Sequence, residues 1–272
     1  MPNLAKISLS QWSEGLLSKG KNSFSVDEAR KSFPNDSEAA LKLKLARLSK
    51  KGKIISIHKG YYLIISPQYA SKGVLPPALF IDGLMKVIQR PYYVGLLNAA
   101  AFYGAAHQQP QEYYVFTDFP VLRPTKKKSI RINYISRKAM PASLLEKRKT
   151  ESGYLTISSP ELTAADLVQF DKRIGGLNRA ATVLNELAEA INIDKISKDF
   201  FKEVPVSTIQ RLGYLLDKVL NHQALAAYLL EQCKKAGLVF FRIPLKTGAG
   251  TNGLSSDDRW KVIVNTAIEV DQ

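Results

Sequence analysis

The chain has one cysteine, Cys233, so it forms no internal disulfide and no thiolate-based zinc module. Histidine is almost as scarce. His58, His107 and His222 lie far apart, without H-x-x-x-H or H-E-x-x-H spacing, so no metal site is expected. No stretch approaches the ~18 consecutive apolar residues of a membrane span, and Met1 to Ser10 lacks the apolar centre of a signal sequence. With so little cysteine, the expected location is the reducing cytoplasm. Also missing are G-x-S-x-G and G-x-x-x-x-G-K-[ST], which excludes a hydrolase elbow and a P-loop.

Acidic residues are in deficit. Against 39 Lys+Arg stand 24 Asp+Glu, a net charge of +15 and a pI near 9.7. Such a balance favours a polyanionic partner, because each cation placed near a phosphate releases a condensed counterion. The excess is uneven: residues 1–72 hold 13 Lys+Arg and 5 Asp+Glu, a net of +8.

What is present in those residues has an order. Leu9, Trp12, Leu16 and Leu17 fall at helical spacing over residues 8–19, and Gly20 follows as a stop. Ser25 with Glu28 forms a capping box that starts a second helix running to about Ser32. After the Pro34–Asn35–Asp36 turn, Asp36 or Ser37 caps a third helix whose Leu41, Leu45 and Leu48 form one stripe. At ~100° per residue, Lys42, Arg47, Lys50 and Lys51 take the opposite side and Lys44 its flank. Two β-rich runs, 53–57 and 61–64, surround a Gly-containing turn and predict a hairpin. Three helices and a hairpin in that order predict a winged helix-turn-helix, its third helix entering the major groove of DNA. The expected DNA contacts are Ser37, Lys42, Lys44, Arg47, Lys50, Lys51 and Lys53, with His58 and Lys59 on the wing. Arg47 is the best placed to read a guanine.

Residues 66–77, rich in Ser, Pro and Gly, have linker composition. The expected division is 1–66 for the DNA-binding domain, 67–77 for the linker and 78–272 for a larger mixed domain. The fold class is α+β. Helices are predicted near 78–89, 94–105, 160–170, 176–190, 206–219 and 222–235, and strands near 112–117, 130–136, 154–158 and 238–243. A last helix is expected to carry Trp260. Arg123, Lys126, Lys127, Lys128 and Arg131 form a second basic cluster near a strand connection, either a solvated turn or an extension of the nucleic-acid footprint.

Gly248-Ala249-Gly250-Thr251-Asn252-Gly253 matches the dinucleotide fingerprint, but the 19 residues after it are too few for the rest of a βαβ unit. It reads as a loop, and no cofactor is expected. Asp166, Asp171 and Lys172 raise the thought of a nuclease. The spacing of Leu162, Leu167 and Phe170 instead places Asp166 on the outer side of an amphipathic helix. A nucleic-acid-directed enzyme remains the alternative reading, with no catalytic residue assigned.

The run Tyr92-Tyr93-Val94-Gly95-Leu96-Leu97-Asn98-Ala99-Ala100-Ala101, followed by Gly104 and Gln108-Gln109-Pro110, resembles the AbiEi antitoxins of bacterial abortive-infection systems, a form of phage defence. So do Ser159-Pro160-Glu161-Leu162-Thr163-Ala164-Ala165-Asp166-Leu167 and Arg211-Leu212-Gly213-Tyr214-Leu215-Leu216-Asp217. The resemblance implies a non-enzymatic transcriptional repressor that binds double-stranded DNA repeats in its own promoter. It also implies an antitoxin that counters a nucleotidyltransferase-like toxin from the same operon. In this type IV arrangement no stable complex between the two is required.

Overall fold

Serine hydroxyls set where four helices begin. Ser8 accepts from the Gln11 amide (3.2 Å), Ser25 from Glu28 (3.1 Å), Ser37 from Ala40 (3.2 Å) and Ser159 from Leu162 (3.4 Å). At Ser8 and Ser25 the box is reciprocal, with Glu28 Oε2 accepting from the Ser25 amide at 2.8 Å.

The computed structural model describes residues 7–106 and 110–270. Residues 1–6 of the opening segment, His107, and Gln108 and Gln109 of the family-like run lie outside the described residues. In chain order the elements are α1 (Leu9–Leu17), β1 (Ser23–Ser25), α2 (Val26–Ser32), α3 (Glu38–Lys50), β2 (Ile54–His58), β3 (Tyr61–Ile64), α4 (Ile81–Val87), β4 (Tyr92–Val94), α5 (Leu96–Phe102), β5 (Tyr113–Thr117), β6 (Thr125–Lys127) and β7 (Ile130–Ser136). They continue with β8 (Leu145–Thr150), β9 (Gly153–Ser158), α6 (Pro160–Gln169), α7 (Leu177–Leu187), α8 (Lys198–Glu203), α9 (Val206–Tyr214), α10 (Gln223–Lys235), β10 (Ile243–Pro244) and β11 (Val262–Ile263). The chain is mixed α+β. None of the described helices is long and apolar enough to cross a membrane.

The described residues fall into two compact units. One takes the chain up to Tyr92 with Gln111–Met140 and Lys147–Thr156, the other Tyr93–Pro110, Pro141–Glu146 and the chain from Ile157. Residues 67–77 lie inside the first unit, where Val74 and Leu75 are buried.

Leu9 of α1, Ala29 of α2 and the Leu41, Leu45 and Leu48 stripe of α3 close over Phe24, Ile54 and Ile64 of a small sheet. Trp12 packs edge-on against Phe24 and Phe33, with ring centroids 5.0 and 5.8 Å apart. The sheet has order β1-β3-β2 and is antiparallel, with Ser23 opposite Leu63 and Ser56 opposite Tyr62. Tyr61, on β3, is buried, and its hydroxyl lies between Ser23 Oγ (2.6 Å) and the Phe80 carbonyl (3.2 Å). Burial pushes that phenol up to about 12. In the same unit β7 lies between β5, parallel to it, and β6, antiparallel to it.

In the second unit α6 is buried along nearly its whole length, among α5, α7 and α9. The expectation of an outward Asp166 is therefore overturned. Asp166 is 1% exposed and accepts a 2.9 Å hydrogen bond from the Tyr93 hydroxyl. A helix enclosed on all sides has no solvent face to give a carboxylate, so hydrogen bonding must support it.

The C-terminal segment departs from expectation too. Residues 238–242 form no strand, and Trp260 sits in a turn rather than a helix. Gln210 explains both, because its Nε2 donates to the carbonyls of Phe241 and Trp260, at 2.7 Å each, where a sheet or helix partner would otherwise be needed. The Trp260 indole N–H donates to Asp217 (3.1 Å), which also accepts from Arg259 (3.2 Å). The Gly248–Gly253 run is a loop, its Ala249 carbonyl held by Asn265 Nδ2.

Candidate nucleic-acid interface

Thirteen residues of α3, started by Ser37, turn three leucines inward. The same geometry exposes Glu38, Ala39, Lys42, Leu43, Ala46, Arg47 and Lys50. Lys42, Arg47, Lys50 and Lys51 take part in no ion pair among the described residues.

Two other lysines expected at this surface are engaged elsewhere. The Lys44 ammonium pairs with Asp36 and lies 5.6 Å from the centre of the Phe33 ring, on the side facing the α2–α3 turn. Lys53 reaches α1, with Nζ 2.8 Å from Glu14 and 3.1 Å from the Ser10 hydroxyl. Hydrogen bonds from Lys53 and Ser10 hold the Glu14 carboxyl below its ordinary range. Their sequence positions flank the basic face, and nothing in residue type separates them from Lys50.

The β2–β3 hairpin turns at Lys59 and Gly60, where the φ of Gly60 is +76°, a conformation that favours glycine. His58 and Lys59 are exposed. The Gly60 carbonyl accepts from the Val26 amide at 2.8 Å, tying the turn to the start of α2. Between α2, α3 and this hairpin lies a cleft of about 520 Å³, edged by Asp27, Arg30, Glu38, Lys42 and Lys59. Arg30 spans Asp27 (3.5 Å) and Glu38 (3.4 Å), joining the first turns of α2 and α3.

The second basic cluster belongs to the same unit. β6 packs beside β2, and pairing with β7 sets Lys126 directly opposite Arg131. Like charges in such a pair repel. Lys127, Lys128 and Arg123 are also exposed. The two clusters are thus carried by one compact body although more than 60 residues separate them in sequence.

Leu43 is the residue that the sequence reading passed over. The signal was the alternation Leu41-Lys42-Leu43-Lys44-Leu45: a helix that buries the first and last of these leucines must present the middle one outward. No group of three or more His, Cys, Asp or Glu residues able to hold a metal ion occurs among the described residues.

Residues 93–218 match the family model described as the AbiEi antitoxin C-terminal domain. No curated protein matches the chain in sequence. Among solved structures, the RV2827C protein from Mycobacterium tuberculosis is similar, with a TM-score of 0.67 over 93% of this chain and 90% of that one. At 16% identity that likeness concerns the fold alone.

Proposed function

We propose that this chain, whose residues 93–218 match the AbiEi antitoxin C-terminal domain model, is the antitoxin of a toxin–antitoxin system and also a DNA-binding autorepressor of its own operon. The observation that carries the proposal is the outer face of α3, where Lys42, Arg47 and Lys50, with Lys51 just beyond the helix, stand exposed and, among the described residues, free of ion pairs. Unpaired cations are available to phosphates without first giving up a protein partner. In this reading the winged helix-turn-helix lies within residues 1–66, α3 is the recognition helix and the β2–β3 hairpin is the wing. Support comes from the helix order, the capped α3 and the hairpin tied to α2. Ser37, Lys42, Arg47, Lys50 and Lys51 are the contacts on α3, with His58 and Lys59 on the wing. Arg123, Lys126, Lys127, Lys128 and Arg131 extend the phosphate footprint, while Lys44 and Lys53 shape its edges.

The partners in this reading are double-stranded DNA from the chain's own promoter and a nucleotidyltransferase-like toxin of the same operon. The protein acts in the cytoplasm and performs no catalysis. Gel shifts with the upstream duplex test the DNA half. Salt-sensitive binding, severely weakened in Arg47→Ala with Lys50→Ala, is the expected result. Unchanged binding in that double variant removes α3 as the contact. Co-expression with the neighbouring gene tests the antitoxin half: growth arrest by the toxin alone, relieved by this chain, is expected.

A further inference from the structure

Leu43 is 52% exposed in the middle of the basic face of α3. At ~100° per residue it points away from the stripe of Leu41, Leu45 and Leu48, and so stands near the centre of whatever surface this helix meets. Ala39 and Ala46 lie beside it, four residues before and three after, and both are exposed. The outer face is therefore a short apolar strip, Ala39-Leu43-Ala46, bordered by Lys42, Arg47 and Lys50.

An apolar strip framed by cations complements a partner with negative edges and an apolar floor. The major groove of a duplex has that pattern where thymine occurs, because the 5-methyl group is the one apolar feature on the base edges and phosphates line both rims. The small side chains of Ala39 and Ala46 let the helix backbone approach the bases closely enough for a leucine to reach that methyl. Resting on the DNA-binding reading above, we propose that Leu43 is a specificity-determining residue that packs against a thymine methyl, with Ala39 and Ala46 setting the close approach. The bound half-site then carries thymine beneath the middle of α3, and Lys42 and Lys50 hold the flanking phosphates.

The test exchanges thymine for uracil, which removes the methyl and leaves base pairing intact. The full chain is first footprinted on the duplex upstream of its own gene. Its affinity is then measured for duplexes carrying uracil at each protected thymine in turn. Weakening of about fourfold at one or two positions is expected, the worth of one buried methyl. Leu43→Ala is expected to bind thymine and uracil duplexes equally at those positions. Leu43 is exposed, so the variant should fold, and the uracil series on the unaltered protein needs no variant. Indifference of the protein to every uracil exchange overturns the inference, as does a Leu43→Ala variant that keeps the full discrimination. Failure to bind any duplex overturns the regulator reading itself, a different result.

Discussion

The ring of Trp260 fills the place where a side chain on Gly213 would stand. A Cβ on that residue would fall 2.1 Å from Cζ3 of the indole, with two more ring atoms within 2.3 Å. Gly213 belongs to α9, so alanine would gain about 1 kcal/mol of helix propensity there. Overpacking against a buried ring costs about 1–3 kcal/mol and sometimes more. The clash wins, because Trp260 is fixed by hydrogen bonds at its indole and its carbonyl.

Gly213→Ala is therefore expected to lower the unfolding free energy by about 1–2 kcal/mol net, read as a lower urea midpoint with an unchanged slope. A more stable variant would show that the indole moves aside freely.

Lys44 and Lys50 are expected to separate two roles that identical chemistry conceals. Lys50→Ala should reduce the slope of log affinity against log salt by about one, with little change in stability. Lys44→Ala should leave that slope alone and cost up to about 1 kcal/mol, since its ammonium is held by Asp36 and Phe33. Salt titrations of DNA binding beside thermal melts distinguish them. Equal slopes for both variants would contradict the assignment.

Ser37→Ala is expected to destabilise the chain by about 1 kcal/mol through loss of the cap on the Ala40 amide. Ser37→Asp, which preserves an acceptor, should recover most of this in denaturant unfolding. If α3 meets DNA as proposed, the aspartate should still bind it less well than serine, because it adds a negative charge at the end of α3 that would face the phosphates.

Alkaline pH should loosen the fold. Burial raises the Tyr61 hydroxyl to about 12 and the Cys233 thiol to about 12, so the folded state prefers both groups protonated. Their stabilising contribution is whole below the ordinary values, about 8.5 for cysteine and about 10 for tyrosine, and declines as pH rises from there towards 12. Urea midpoints are expected to be flat to about pH 8 and to fall above about pH 9. Tyr61→Phe should remove part of the fall above pH 10. An unfolding free energy independent of pH over that range would refute the burial argument.

The sequence was most legible where a contact is short in chain length. Ser25 and Glu28 are three residues apart, and the capping box follows from their chemistry alone. Leu41, Leu45 and Leu48 declare one helix face in the same way. β1, three residues long, has too little alternation to be seen, and it exists because β3 offers it a partner. Asp166 was misjudged because the enclosure of α6 depends on helices from distant sequence. Trp260 lies in a turn because Gln210, 50 residues earlier, supplies its hydrogen bond. The same limit hid the engagement of Lys53 with Glu14, 39 residues away.

The bond from the Val26 amide to the Gly60 carbonyl makes the hairpin tip and the first turn of α2 a single caliper. Its jaws are set before anything is grasped. A rod-like polyanion laid across α3 and Lys59 meets a preset span, so the free-energy cost of stilling a loose arm does not arise on engagement. On the DNA-binding reading proposed above, the gauge of that span would select by width and curvature as well as by charge.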